Sequence, residues 1–407
     1  MNVSSGVKSI WSNRRFTSIW IAGLFSSFAI SFFMFAQSWY IVQTLNLEAS
    51  LGIVFVATSV PRLIFMIIGG AIADRFSKTR IMLLSNISRS ILMIGLVVLL
   101  MSSTISIWTF VLFGLFFGIL DAFFWSADGS ILPQIIKKDQ LTVGNSITHM
   151  TNQITLILGP VVAGLLIKFS SYEVVFLMTA IFLILSAYFI SKIKLPEYQG
   201  HSDQDSIVQS IKSGIQYVRK SSFLTGVLTC SVFLYMFLIG PLQMGLPLFV
   251  KNTLHGDTLH FSFLEGAFGG GMLLGAIAIG LSNLRRKRGL FTLVMITLAG
   301  FSFLLFSFTN ELWESIVVIS IFGATLALAN IPLMSIIQSI VKEEMMGRVM
   351  SLVMLSSMGL IPLSYAMTSV VLSFGIDIHV IMGSGAILVL LFLIYVYFRF
   401  PVIRAMD

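Results

Sequence analysis

The apolar residues of this 407-residue chain are grouped into runs of about 20 residues, each separated from the next by a polar segment. A run of this length can cross the hydrocarbon core of a bilayer as a helix. Hydrophobic residues make up 57% of the chain and charged residues 10%, a composition that a water-soluble globule could not bury. No small-residue cleavage site follows the first run, so we expect that run to stay in the membrane. The sequence therefore predicts an all-α membrane protein with twelve transmembrane helices, at residues 16–44, 51–74, 81–101, 105–129, 144–168, 172–192, 222–250, 260–283, 289–309, 313–340, 348–374 and 378–398.

The lysines and arginines are distributed unevenly between the two ends of the predicted helices. With a cytoplasmic N-terminus, 21 of the 25 Lys and Arg residues lie on cytoplasmic segments, and only Lys168 and Lys251 lie outside. Because positively charged loops stay in the cytoplasm, both termini are predicted to be cytoplasmic. The net charge of +8 is spread over short loops rather than gathered in a basic domain. The lipid bilayer, and not nucleic acid, is therefore the expected partner.

Several kinds of chemistry lack their residues in this sequence. Cys230 is the one cysteine, so neither a disulfide framework nor a thiolate metal cluster is expected. The sequence has no Gly-rich loop ending in Gly-Lys-Ser/Thr, no His-Glu-x-x-His zinc motif and no nucleophile elbow. We therefore expect a protein that is not an enzyme and that uses no cofactor and no metal.

Two segments half a chain apart are similar to each other. Residues 134–141 align with residues 338–345 at an offset of 204, which predicts two parallel structural repeats. We expect an N-terminal six-helix bundle at 1–192, a cytoplasmic linker at 193–221 and a C-terminal six-helix bundle at 222–407. Apolar residues recur at helical spacing within the linker and predict an amphipathic surface helix: Ile207, Val208, Ile211, Ile215 and Val218.

The loop between the second and third runs combines an aspartate with several cations. The motif residues are Gly70, Asp74, Arg75, Lys78 and Arg80. This loop resembles the signature of the major facilitator superfamily, which reads approximately G-x-L-x-D-R-x-G-R-K. Here Ser77 replaces the second glycine, and the final cation is displaced to Arg80. The resemblance implies two pseudo-symmetric six-helix bundles and a gate in which this loop bonds to the start of the eleventh helix, near Gly347 and Arg348.

A narrower resemblance covers most of the chain. Residues 121–124, 132–133, 141, 145–146, 338 and 347–349 are similar to the macrolide-efflux and enterobactin-exporter branch. The fifth run carries Gly159, Pro160 and Gly164, similar to the antiporter motif G-P-x-x-G-G, with Ala163 in place of one glycine. The resemblance implies export of drugs or siderophores from a bacterial cell through its plasma membrane. We expect a monomer that exports small amphipathic compounds in exchange for protons, as in multidrug or macrolide efflux. A siderophore or metabolite exporter, an importer, and a membrane sensor that binds without transporting remain as alternatives.

Charged residues inside the predicted spans need a specific role, because a charge at mid-membrane costs about 2.5–3.5 kcal/mol. Arg89 and Asp121 lie at similar depths in the third and fourth spans, so they are predicted to pair. The pair either locks neighbouring helices together or makes Asp121 a proton carrier. Arg62 follows Pro61 in the second span. It is expected either to bind an acidic group of a substrate or to pair with another helix, with Glu265 as one candidate.

Two further residues are candidate proton carriers. Glu265 lies in the outer third of the eighth span and has no cation close to it in sequence, so it is the preferred titrating group. The alternative is a carboxylate that reaches the outer water. His149 lies in a polar stripe of the fifth span with Asn145 and Asn152. An interhelical hydrogen bond is the alternative to proton transfer by this imidazole.

The substrate cavity of the superfamily is lined by its first, fourth, seventh and tenth helices. By that resemblance, the expected cavity residues are Phe32, Gln37, Phe124, Trp125, Tyr235, Gln243, Asn330 and Gln338, and the polar candidates added to them are Arg62, Asn145 and Asn152. For each of these residues, packing between helices is the alternative. A soft aromatic cavity with few fixed polar groups would accept many amphipathic ligands.

Overall fold

The computed structural model of the protein describes residues 10–73, 76–193, 207–282 and 286–406. Within these ranges the regular secondary structure is helical, and no strand is present. The chain divides into two compact units, Met1–Ser202 and Asp203–Asp407. The linker boundaries proposed from the sequence stay a prediction.

The described residues of the first unit form six long helices. Asn13 begins the first of them, because its side-chain oxygen accepts hydrogen bonds from the backbone N–H groups of Arg15 and Phe16. A short 3₁₀ turn, Lys138–Gln140, joins the fourth helix to the fifth. The six helices are α1 (Arg14–Gln43), α2 (Leu51–Ala73), α3 (Lys78–Met101), α4 (Ile107–Ile135), α5 (Leu141–Phe169) and α6 (Tyr172–Ser191).

The second unit begins with the predicted surface segment and continues with membrane-length helices, two of which are interrupted. Its helices are α7 (Ile207–Arg219), α8 (Ser222–Leu234), α9 (Gly240–Asn252), α10 (Thr258–Ser282), α11 (Arg288–Phe306), α12 (Leu312–Ile340), α13 (Glu343–Ser357), α14 (Ile361–Ser373), α15 (Ile378–Arg399) and α16 (Pro401–Ala405). A π-helical segment, Tyr235–Ile239, joins α8 to α9. Residues 358–360 separate α13 from α14.

The helices agree with the predicted spans to within a few residues at most ends. Among the described residues, eleven helical stretches are long and apolar enough to cross a membrane, and α2 adds a shorter apolar segment at Leu51–Met66. The largest difference is at α4, which the sequence ends at residue 129 and which continues to Ile135. The polar residues at 126–130 lower the local hydropathy without breaking the helix, so hydropathy alone ends the span too early.

Aromatic side chains fill the interior of the first unit. Phe33 is fully buried, and its ring stacks on Phe117 with centroids 4.3 Å apart. Phe32 is buried and contacts Phe182, with ring centroids 5.5 Å apart. Large apolar side chains such as Phe169 remain exposed, as expected for a surface that faces lipid tails.

Glycines let helices approach closely in both units, and one contact from each unit illustrates this. A Cβ on Gly118 of α4 would lie 2.1 Å from the carbonyl oxygen of Thr58 in α2. A Cβ on Gly271 of α10 would lie 2.0 Å from the carbonyl oxygen of Ser320 in α12. Small residues at such crossings are typical of membrane helix packing. These contacts fix α4 against α2 and α12 against α10.

Candidate functional site

Three charged side chains meet in the interior of the first unit. Asp121 of α4 lies between two arginines: its Oδ1 is 2.6 Å from Nη1 of Arg89, and its Oδ2 is 3.0 Å from Nε of Arg62. The Arg89 side chain is completely buried, and 3% of the Asp121 side chain is exposed. The structure therefore brings together Arg89 and Asp121, and it adds Arg62 to the same cluster. These ion pairs connect α2, α3 and α4.

The Arg89 guanidinium has further partners. Its Nη2 donates to Ser26 Oγ at 3.4 Å and to Asn86 Oδ1. Asn86 in turn donates to Ser186 Oγ at 2.7 Å, and Ser186 donates to the Ala22 carbonyl at 2.7 Å. The network therefore reaches α1 and α6, so a single buried cation organises most of the first unit.

Arg62 has a different environment from Arg89. Its side chain is 37% exposed, and its guanidinium carbon lies 6.0 Å from the ring centroid of Trp125. The sequence leaves open a substrate-binding role or a pair with another helix, with Glu265 as a candidate. The observed partner is Asp121, which the sequence analysis does not consider for this arginine.

A cavity of about 190 Å³ lies among α1, α4 and α5 of the first unit. Its residues are Ile19, Trp20, Gly23, Leu24, Ser26, Ser27, Ile30, Phe124, Trp125, Asp128, Gly129, Ile131, Leu132, Asn145, Thr148, His149, Thr151 and Asn152. We call it the α1–α4–α5 cavity. It contains five of the residues proposed from the sequence, namely Phe124, Trp125, Asn145, His149 and Asn152.

Hydrogen bonds position part of the cavity wall. Trp20 Nε1 donates to Thr151 Oγ1 at 2.8 Å, and Ser27 Oγ donates to Asn152 Oδ1 at 3.1 Å. Both bonds join α1 to α5. The side chains of Asn145 and His149 are exposed, so the polar stripe of α5 forms an accessible part of the cavity.

Asp128 lines the cavity, although it is not among the site residues predicted from the sequence. It lies at the end of the predicted fourth span, where a carboxylate is expected to reach the water at the membrane surface. The available signal is its spacing, since it follows Asp121 by seven residues and therefore lies on almost the same face of α4. α4 continues to Ile135, so Asp128 lies within the helix and lines the cavity.

Two proposed cavity residues on α1 do not line this cavity. Phe32 packs in the aromatic interior with 1% of its surface exposed. Gln37 is fully buried, and its amide nitrogen and oxygen have no hydrogen-bond partner among the described residues.

In the second unit, two of the other cavity candidates lie in or beside the π-helical segment. Tyr235 begins the π-helical segment, and Gln243 on α9 accepts a hydrogen bond from the Tyr365 hydroxyl of α14. Ser364 Oγ donates to the carbonyl of Met236 at 2.5 Å, so α14 also contacts the π-helical segment directly. Asn330 and Gln338 lie exposed on α12.

Glu265 lies half-buried in α10. Within the described part of the chain, its carboxylate has no hydrogen-bond or ion-pair partner. A partnerless carboxylate in a membrane helix is a functional candidate. No group of three His, Cys, Asp or Glu side chains among the described residues could hold a metal ion.

The motif residues are only partly described. Asp74 and Arg75 lie outside the described residues, while Gly70 belongs to α2 and Arg80 is exposed near the start of α3. Lys78 is buried and donates to the Ser130 carbonyl of α4 at 3.0 Å.

Gly347 and Arg348, the predicted partners of the charged loop, lie near the start of α13, where Arg348 contacts α7. Arg348 Nη1 donates to Ser213 Oγ of α7 at 3.0 Å. Gly347 has open space where a Cβ would point.

The antiporter-like motif brings α5 close to α1. A Cβ on Gly159 would lie 2.2 Å from Ser31 Oγ, and Pro160 and Gly164 are buried beside it in α5.

The chain is similar to known transporters over most of its length. The family model of the Major Facilitator Superfamily matches residues 19–365. Macrolide efflux protein A of Streptococcus pyogenes is 21% identical over 342 residues, covering 83% of this chain and 84% of that protein. The putative bacilysin exporter BacE of Bacillus subtilis is 25% identical over 299 residues, covering 73% of this chain and 74% of that protein.

Solved structures share the same architecture at low sequence identity. The nucleoside transporter NupG has a TM-score of 0.73 at 13% identity, covering 97% of this chain and 100% of that chain. A bacterial homologue of the human lysosomal transporter Spinster has a TM-score of 0.66 at 13% identity, covering 96% of each chain.

Proposed function

Because the chain belongs to the major facilitator superfamily and is a multi-pass membrane transporter rather than an enzyme, we propose that it exports small amphipathic compounds by proton antiport. One observation carries the proposal: the similarity to macrolide efflux protein A extends over more than four fifths of both chains. The α1–α4–α5 cavity supports it, since its wall carries polar side chains that can bind the polar groups of an amphipathic compound.

The proposed cycle is alternating access, in which the substrate site opens to one side of the membrane at a time. The charged loop around Asp74 remains the proposed gate on its sequence alone. The proposed setting is the plasma membrane of a bacterium with both termini in the cytoplasm, which is supported by the bacterial relatives and by the distribution of Lys and Arg.

For proton coupling, we favour Glu265 over Asp121. Asp121 uses both carboxylate oxygens in ion pairs, so proton uptake there would break contacts that hold three helices. Glu265 has no such contacts among the described residues, so its proton can come and go without breaking an ion pair. His149 remains a second proposed site, since its exposed imidazole lines the cavity.

Glu265→Gln is expected to make efflux insensitive to an imposed pH gradient, because the amide cannot exchange a proton. The measurement is efflux of ethidium, an amphipathic dye, from loaded proteoliposomes with and without a pH gradient. Glu311→Gln is the matched control, since Glu311 is exposed at the start of α12 and makes no side-chain cap. A normal response of Glu265→Gln to the gradient would reject this residue as the carrier.

A host that lacks its own drug pumps tests export in cells. Expression of the chain is expected to raise the tolerated concentration of at least one macrolide or amphipathic dye by several fold. A host carrying Glu265→Gln at equal expression should lose that protection. Unchanged sensitivity across a panel of such compounds would contradict the proposed substrate class.

A further inference from the structure

Among the described residues, Asp128 is the one carboxylate that lines the α1–α4–α5 cavity. Among the described residues it has neither an ion-pair partner nor a hydrogen-bond partner. A charge inside a membrane helix costs about 2.5–3.5 kcal/mol even on the lenient insertion scale. A carboxylate kept there therefore needs a partner, and none of the described residues supplies one.

The contrast with Asp121 sharpens this point. The two carboxylates are seven residues apart, which corresponds to about 10 Å along α4 and nearly two full turns. They lie on almost the same face of one helix, and among the described residues Asp121 has two arginine partners while Asp128 has none. Within this part of the chain, the first carboxylate is neutralised by two cations and the second faces the cavity without one.

Among the described residues, three cations bind residues of α4 other than Asp128. Arg62 and Arg89 bind Asp121, and Lys78 Nζ donates to the Ser130 carbonyl. None of these three residues lines the described cavity. In the described part of the cavity wall, His149 of α5 is the other titratable group, and α1 contributes no charged side chain.

The rest of the wall suits an organic cation. Trp20, Phe124 and Trp125 place aromatic rings around the cavity, and ring faces attract ammonium groups. Ser27, Asn145 and Asn152 add polar groups at the same site.

We propose that the α1–α4–α5 cavity binds the ammonium head group of an amphipathic amine, with Asp128 as the counter-ion. At about 190 Å³ the cavity is smaller than the roughly 300–1,000 Å³ of pockets that enclose a whole ligand, so it holds the head group alone. The apolar body extends past the exposed side chains of Asn145 and His149. This inference rests on the proposed export function and names its substrate class.

Equilibrium binding to the purified protein in lipid nanodiscs tests the inference. The probe is benzyltrimethylammonium, a permanent cation with one aromatic ring, and the comparison ligand is the neutral N,N-dimethylbenzamide. Asp128→Asn is expected to weaken binding of the cation at least tenfold, because the amide keeps the shape and removes the charge. Asp139→Asn, in the 3₁₀ turn outside the cavity, should bind the cation as the unaltered chain does. Equal affinity of the unaltered chain and Asp128→Asn for the cation, or equal affinity of the unaltered chain for the cation and the neutral amide, would overturn the inference.

A second measurement needs no variant and covers a failure of Asp128→Asn to fold. Dicyclohexylcarbodiimide modifies carboxyl groups in apolar surroundings, and mass spectrometry locates the product. Saturating benzyltrimethylammonium is expected to slow modification of Asp128 at least fivefold and to leave Glu265 unaffected. Unslowed modification of Asp128 would overturn the inference.

These experiments separate the inference from the proposed function. Binding and carbodiimide protection are measured without any ion gradient, so they do not depend on antiport. Cation binding with no gradient-driven efflux would reject the proposed export and keep the site. Efflux of ethidium with no loss of cation binding in Asp128→Asn would reject the site and keep the export.

Discussion

Asp121 places one carboxylate oxygen on an arginine of α2 and the other on an arginine of α3. Two buried or half-buried cations thus depend on one anion. Removing one partner of a buried ion pair leaves a charge without compensation, which is strongly destabilising. The cluster therefore acts first as a structural lock of the first unit.

Because Asp121 binds two arginines, neutralising Asp121 is expected to destabilise the protein more than neutralising Arg89. Asp121→Asn leaves two arginines without an anion and is expected to lower the free energy of unfolding by about 3–5 kcal/mol. Arg89→Gln leaves Asp121 with Arg62 and should cost less. Thermal unfolding followed by tryptophan fluorescence measures both.

The double variant supplies the coupling between these two residues. Asp121→Asn with Arg89→Gln should be less destabilised than the sum of the single losses by about 0.5–3 kcal/mol. Arg80→Gln, an exposed cation near the start of α3, is the matched control and should change little. Additive losses, or a larger effect of Arg89→Gln than of Asp121→Asn, would contradict the lock.

For single residues, the sequence predicts ion pairs that depend on how deep each residue lies in the membrane. It does not predict ion pairs that depend on how a helix is rotated about its own axis. The depths of Arg89 and Asp121 follow from counting residues along two helices, and the structure brings the two together. The partner of Arg62 depends on how α2 is rotated, which hydropathy does not report. Asp128 is not among the predicted site residues, because the predicted fourth span ends at residue 129 and places this carboxylate at the membrane boundary.

Close backbone contacts determine which helix faces meet. The carbonyl oxygen of Ser320 occupies the space that a side chain on Gly271 would need. Gly270, the preceding residue on α10, has open space in the same test. The two glycines form a matched pair for measuring the contact.

Gly271→Ala is expected to lower the free energy of unfolding by about 1–3 kcal/mol, because the methyl group forces α10 away from α12. Gly270→Ala should be neutral or slightly stabilising, since alanine favours a helix. A thiol-reactive dye can follow unfolding of the second unit, because Cys230 is the one cysteine and is buried in α8. Equal melting temperatures of the two variants would show that this contact does not hold the helices.

The helices themselves are largely predictable, and their interruptions are not. Runs of apolar residues gave most helix ends to within a few residues, because length and hydropathy together define a membrane helix. The π-helical segment Tyr235–Ile239 and the break at 358–360 lie inside continuous apolar runs. Pro241 and Pro362 lie in the first turn of the helices that follow, and a proline lacks the backbone N–H that would continue the preceding helix. A hydropathy profile reports neither this missing donor nor the hydrogen bond from Ser364 to the π-helical segment.

For the whole molecule, the family and the fold expected from the sequence are confirmed by the family model and by the solved structures with the same architecture. The signature loop between α2 and α3 is enough to indicate the family, although Asp74 and Arg75 lie outside the described residues. The substrate was not predictable, since it depends on a few side chains around a cavity and not on the pattern of helices.

Gradient-driven transport by the purified protein is the decisive test of export by proton antiport. Proteoliposomes are prepared with the chain as the one protein, and radiolabelled erythromycin, a macrolide, is followed across the sealed membrane while a pH gradient is imposed. If export is by proton antiport, we expect the macrolide to accumulate against its own concentration gradient and a protonophore to abolish this accumulation. Movement no faster than in protein-free vesicles, or accumulation that ignores the pH gradient, would contradict it.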